Sequence, residues 1–159
     1  MKDLTVERFS LSIFPYAKDL AVRLNALKAQ VSQAHTEVTP SDLHDISHDR
    51  HTQYLFLQYH GVREAQHVVG MLLIVRSPLL QSALLGPIVV DRLCPVRGHG
   101  TQLMGRSLEQ VWMENPALQR IDLTTAPARG LVPWYEQFGF VVRDTTPMRL
   151  ERPSSAACP

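Results

Sequence analysis

Only two cysteines, Cys94 and Cys158, occur in this chain of 159 residues, too few for a disulfide framework. Cys158 lies in a small polar tail where a bridge would close little, so a reducing, intracellular compartment is expected. Charge of one sign is also missing, since 16 basic residues against 15 acidic ones leave a formal net charge of +1. No global field draws the chain to nucleic acid or to an anionic membrane, and partners must be argued from sites. Long apolar runs are absent as well. None approaches the ~18 residues of a membrane-spanning helix, and MKDLTVERFSLSIF lacks the continuous apolar core of a secretion signal. The expectation is a soluble, unprocessed, cytoplasmic protein that binds neither nucleic acid nor membrane.

Several catalytic signatures are missing too. There is no GxSxG elbow, no GxxxxGK[ST] loop, no CxxC pair and no full GxGxxG, because Leu103 stands where the dinucleotide fingerprint needs glycine. Histidines 44, 48 and 51 in HDISHDRH fall at i, i+4 and i+7, a metal-like spacing. Zinc usually takes a fourth ligand and a second shell, and no HExxH glutamate is present, so an exposed polar helix and no metal are expected.

What is present suits one α/β domain, with 45% hydrophobic and 19% charged residues. Alternation predicts a strand over Thr5–Ile13, and Leu20, Leu24, Leu27 and Val31 then mark one apolar helix face. Thr39 or Ser41 can cap a second helix, with Pro40 in its first turn. Strands follow at Tyr54–Tyr59, His67–Val75 and Ala83–Val90, the first two joined around HGVREAQ. A helix carrying Leu103, Met104, Leu108, Val111 and Trp112 ends at Asn115-Pro116. Then come a strand over Arg120–Thr125, a short helix over Leu131–Phe138 closed by Gly139, and strands at Phe140–Arg143 and Met148–Leu150. One domain over residues 1–152 with a flexible tail at 153–159 is expected.

Two stretches carry chemistry. In VRGHGTQLM, Val96 to Met104, glycines 98 and 100 let backbone N–H groups approach an anion where a helix aims its positive dipole end. In WYEQFGF, Trp134 to Phe140, Tyr135 stands on a short helix ahead of Gly139-Phe140. Taken separately, a turn and a packed aromatic cluster explain each. Strand, glycine turn, long helix, strand, then a tyrosine helix form an ordered set.

In that order and spacing the chain resembles the GNAT superfamily of N-acetyltransferases. Leu85 to Met104, LGPIVVDRLCPVRGHGTQLM, is similar to the family's strand, Q/R-x-x-G-x-G/A turn and Leu-rich helix. Leu123 to Phe140, LTTAPARGLVPWYEQFGF, is similar to its next strand and helix. The resemblance covers residues 66–150, and the first 65 match in element order alone. It implies a mixed, centrally splayed sheet of six to seven strands with about four helices. The turn admits two registers. Arg97 in first position keeps the basic residue but puts Gln102 where Gly or Ala is expected. Pro95 in first position keeps both glycines and is preferred; it costs one N–H donor, which the Arg97 guanidinium can offset.

By that resemblance the chain binds acetyl-CoA and an amine acceptor, with a homodimer as a further candidate partner. Pyrophosphate would sit on the amides of Val96, Arg97, Gly98, His99, Gly100 and Thr101, with side-chain donors from His99 and Thr101. Pantetheine would add along the Val89-Val90 edge, where the Val90 N–H faces the developing oxyanion. A neutral amine attacks the thioester directly and Tyr135 protonates the leaving thiolate, since a tyrosine of pKa near ~10 stays protonated at neutral pH. Asp91, His60, His67 and a relayed water are candidate proton acceptors, with Asp91 read first as a solvated loop residue. The amine pocket falls to Gln33–Arg50 and Arg143–Pro147. VVDR, the glycine turn with LM, LE at 108–109 and LTT at 123–125 are faintly similar to the branch that acetylates the acidic N-terminus of actin. Polyamines, amino sugars, antibiotics and protein N-termini stay open as acceptors, and a non-catalytic acyl-CoA-binding module is the rival class.

Overall fold

The computed structural model describes residues 4–32, 35–49, 51–125 and 129–143. β1 (Leu4–Arg8) ends sooner than its alternating pattern predicts. At Ser10 the chain turns, the serine carbonyl accepting from the N–H groups of Ile13 and Phe14, and pairing cannot continue. α1 (Ala17–Ala29) buries Leu20, Leu24 and Leu27 completely, each burial contributing roughly 1.5–3 kcal/mol. α2 (Pro40–His48) starts on a reciprocal cap: Thr39 Oγ1 accepts from the Asp42 N–H at 3.1 Å, and Asp42 Oδ2 accepts from the Thr39 N–H at 2.8 Å.

β2 (Gln53–His60), β3 (Val68–Ser77) and β4 (Ser82–Val90) pair antiparallel and form the centre of the sheet. α3 (His99–Glu114) returns the chain so that β5 (Arg120–Asp122) pairs parallel with β4. The sheet order is β1-β2-β3-β4-β5. Successive side chains of a strand take opposite faces, and β2 is buried on both. Leu55, Leu57 and Tyr59 join the core with the α1 leucines and Leu43 of α2. Tyr54 and Gln58, on the other face, meet α3 through Asn115 and Gln102.

Five strands are therefore observed among the described residues, not six to seven. Phe140–Arg143 forms no strand, and Met148–Leu150 lies outside the described residues. β5 is three residues long where the sequence predicts six. The cause lies in its partner. Leu72 pairs with Ile88 and Ile74 with Leu85, so Gly86 and Pro87 together oppose Leu73 in a bulge of β4. Proline suits such a point because it has no N–H to give the ladder. β5 pairs only with Ser82, Ala83 and Leu84, ahead of the bulge. From Leu85 to Val90 that side of β4 has no strand partner among the described residues.

Contacts divide the chain into two compact units, one through Thr124 and one from Thr125 onward. The second contains α4 (Val132–Glu136). Trp134 packs edge-on against Tyr135 and Phe138, each at 5.0 Å between ring centroids, and Tyr135 packs edge-on against Phe140 at 6.0 Å. Gly139 closes this helix with φ +90, a left-handed angle that glycine adopts without penalty. Among the described residues no helix is long and apolar enough to cross a membrane.

Candidate active site

The last residues of β4 are oriented by one hydrogen bond. The Asp91 N–H donates to the Val69 carbonyl at 2.7 Å, which makes Gly70 and Val90 a non-hydrogen-bonded pair of the ladder. Alternation then turns the N–H and C=O of Val90 and Ile88 away from β3, toward the edge left open beyond the bulge. Those of Val89 point into the ladder with Met71, and its side chain is buried in the core. An extended ligand on this edge would meet the main chain of Ile88 and Val90, whereas the sequence had suggested Val89 and Val90.

Asp91 is buried and is not the solvated loop residue expected. Its Oδ2 accepts from Arg23 at 2.8 Å, and its Oδ1 accepts from Gln30 at 3.1 Å and from the Leu93 N–H at 2.9 Å. Burial alone would raise its pKa, but the bonds from Leu93, Gln30 and Arg23 and the guanidinium charge outweigh that and hold it below the usual carboxylate range. Such a carboxylate is a poor base. Arg23 also donates to the Val68 carbonyl at 2.9 Å, so Asp91 ties the end of β4 to α1 and to the start of β3.

Gly98 is the N-cap of α3, with φ +76 and no side-chain cap. A Cβ added there would meet nothing within 4 Å, so the backbone angle and not crowding calls for glycine. The amides that follow belong to a helical first turn, whose N–H groups have no partner within the helix. Val96, Arg97, Gly98, His99, Gly100 and Thr101 thus lie together around one helix start. The His99 ring does not add a donor. Its Nδ1 lies 2.9 Å from the Val96 carbonyl, which can only accept, so Nδ1 donates there, and Nε2 is buried with no hydrogen-bond partner among the described residues.

Behind this turn lies a feature that the sequence reading missed. Gln58, fully buried in β2, donates from Nε2 to Gln102 Oε1 at 2.9 Å. Gln102 Nε2 in turn reaches the Leu4 carbonyl at 3.5 Å. A glutamine inside the apolar run YLFLQY was the available signal.

Tyr135 belongs to the second unit and is buried there beside its aromatic neighbours. Burial raises its pKa against the opposing charge of Arg129, which keeps the hydroxyl protonated at neutral pH. The His44 and His48 rings lie 5.1 Å apart on α2, tilted by 52° to each other, and the described residues hold no group of three His, Cys, Asp or Glu that could bind a metal. A cavity of about 350 Å³ opens between α1, α2 and the sheet. Leu55, Met71, Leu73 and the bulge residue Pro87 form its apolar side, and Lys28, Glu37, Asp42 and Asp45 bring charge to it.

Residues 23–140 match the model of the acetyltransferase (GNAT) family, and the chain belongs to that family. An acetyltransferase of Trypanosoma brucei is similar in structure, with a TM-score of 0.66 and 18% identity over 94% of this chain and 100% of that one. AAC(6')-Iy, in complex with the bisubstrate analogue CoA-S-monomethyl-acetylneamine, has a TM-score of 0.65 and 16% identity over 95% and 99%. A ribosomal-protein-alanine N-acetyltransferase of Brucella melitensis gives 0.63 and 16% over 95% and 100%. At such identities the likeness is one of fold. No curated protein sequence matches the chain.

Proposed function

We propose that the protein transfers an acetyl group from acetyl-CoA to a primary amine by direct attack. The observation that carries this reading is the Val90 N–H, turned to a strand edge with no strand partner among the described residues and followed by the left-handed glycine that opens α3. Acetyl-CoA fits these parts: an extended amide arm can pair with Ile88 and Val90 as an added strand does, and an anionic pyrophosphate suits the amides of Val96 to Thr101. When bound it supplies an activated thioester. The Val90 N–H, turned away from β3, would be the donor available to charge developing on the thioester oxygen. Tyr135 donates the proton that the leaving sulfur needs. Asp91 is engaged by Arg23, Gln30 and Leu93, which leaves His60, His67 or a relayed water to take the amine proton.

The cavity beside Pro87 is the acceptor site. Three carboxylates, Glu37, Asp42 and Asp45, face it with one ammonium, Lys28, whose pKa burial lowers against the pull of Asp42. That balance favours a cationic amine on an apolar stem and disfavours an acidic peptide N-terminus. The test is thiol release from acetyl-CoA across a panel of polyamines, amino sugars and basic or acidic N-terminal peptides. Turnover is expected with the cationic acceptors, and Tyr135→Phe should lower it by roughly 10²- to 10⁴-fold while leaving acetyl-CoA binding intact. Binding without turnover on any amine would assign the chain to the non-catalytic acyl-CoA-binding class. Wild-type kcat in the tyrosine variant, with chemistry limiting, would reduce Tyr135 to packing.

A further inference from the structure

Gln58 is the one fully buried polar side chain of the central strands whose carbonyl oxygen has no partner. Its orientation is set from outside. The Leu4 carbonyl can only accept, so Gln102 must turn its amide NH2 toward it, at 3.5 Å, and present its oxygen to Gln58. Gln58 then gives Nε2 to Gln102 at 2.9 Å and is left with Oε1 pointing inward. That oxygen is 3.2 Å from where a Cβ on Gly70 would stand, a point also 3.4 Å from the Val89 carbonyl and 3.0 Å from Leu103 Cδ2. Gly70 is the ladder partner of Val90. A Cβ at Gly70 would crowd the Gln58 amide, which would have to shift by a few tenths of an ångström.

Gln102 is in the first turn of α3, and its own N–H donates to the Gly98 carbonyl at 3.1 Å. A single buried amide therefore bonds the helix turn opened by Gly98, through Gln102, and stands opposite Gly70, which is in turn the ladder partner of Val90 at the end of β4. An apolar side chain of similar volume would fill the space without leaving a buried acceptor unpaired, so packing alone does not account for glutamine. Resting on the proposed function, we infer that Gln58, acting through Gln102, is a positioning residue: it sets the distance between the phosphate-binding turn and the strand edge that receives the pantetheine arm. Neither residue touches the reacting atoms.

Gln58→Met and Gln102→Met test this. Methionine keeps the length and removes the hydrogen bond. In Gln58→Met the unpaired acceptor also disappears, so the denaturant midpoint should hold or rise, while acetyl-CoA binding weakens about three- to tenfold, the scale of one neutral hydrogen bond. KM for acetyl-CoA should rise by the same factor with kcat little changed, the signature of lost uniform binding. Gln102 faces the sheet but is only partly buried, so its substitution is the milder of the two and keeps the test open if the strand substitution does not fold. The two changes together should weaken binding no more than either alone, because they break one linkage. Calorimetric titration and steady-state kinetics read these outcomes. Unchanged Kd and KM in both variants, or full additivity between them, overturn the positioning role and leave the proposed function standing. Failure of the wild-type chain to bind acetyl-CoA overturns both.

Discussion

At the scale of single residues, Asp91 is where sequence and structure part most clearly. An aspartate at a strand end followed by Arg92 reads as solvated, because nothing local reveals that Arg23 and Gln30, more than sixty positions earlier, converge on it. Apart from the Leu93 N–H, its partners come from α1 and its C-cap, and only tertiary packing brings them. The side chains of Arg23 and Asp91 are 22% and 11% exposed, so water screens the pair weakly. Asp91→Asn should destabilise the fold by about 1.5–3 kcal/mol, the range for a hydrogen bond to a charged group. The pH dependence has a definite sign. The native pKa of Asp91 is lowered, so its contribution is complete above the unfolded value of ~3.9 and is lost as pH falls through the native one. Urea unfolding at a series of pH values should show the gap between wild type and Asp91→Asn closing below about pH 4. A gap that stays constant down to pH 2 would mean that the asparagine variant fails through packing. The placement of Tyr135 on a short helix ahead of Gly139-Phe140, by contrast, follows from the local pattern WYEQFGF.

At the scale of elements, apolar periodicity located α1 and α3, capping and breaker residues located α2 and α4, and alternation placed the three central strands within two residues at each end. Leu103, Met104, Leu108 and Val111 are buried as the helical stripe requires, while Trp112 stays 42% exposed at the rim of the same face. The bulge at Gly86-Pro87 was not legible. It depends on how β4 pairs with β3, and it also shortens β5, whose residues RIDLTT carry strand propensity beyond the point where a partner is available. The glycine turn was legible as a turn, and the structure bears on its register. The left-handed residue is Gly98, and Gln102 turns to the sheet and is hydrogen-bonded there. Both features favour Pro95 as the first position of the pattern. Pro95→Arg should then tighten acetyl-CoA binding by up to about tenfold through a restored N–H and a guanidinium, and Arg97→Ala should weaken it, more at low salt. Gln102→Gly should weaken binding. In the other register Pro95→Arg is neutral and Gln102→Gly tightens, so titrating the three variants separates the two.

At the scale of the molecule, family membership came from the order of a few short elements, because that order is what a strand, an anion-binding turn and a helix must have to hold one ligand. The acceptor was not legible. Glu37, Asp42 and Asp45 are scattered along a loop and a helix, and only folding aims them at one cavity beside Met71 and Pro87. Phe140–Arg143 forms no strand for a related reason: a short apolar run such as FVV is compatible with a strand, but pairing is decided by tertiary contacts that the run itself does not encode. Ligand linkage gives a test that spans these scales. A ligand that only the native state binds stabilises it by RT ln(1 + [L]/Kd), about 2.7 kcal/mol at a hundred times Kd. In a chain of this length that corresponds to a rise in Tm of roughly 5–10 °C. The proposed binding groups, from Ile88 to Thr101, lie within the unit that ends at Thr124, whereas Tyr135 lies in the unit that follows. Acetyl-CoA should therefore raise the Tm of Tyr135→Phe as much as that of wild type, and that of Gln58→Met by less at the same concentration. A melting curve unmoved by millimolar acetyl-CoA, beside an acetyltransferase that does shift, would refute the proposed function. A full shift in Gln58→Met would refute only the positioning role.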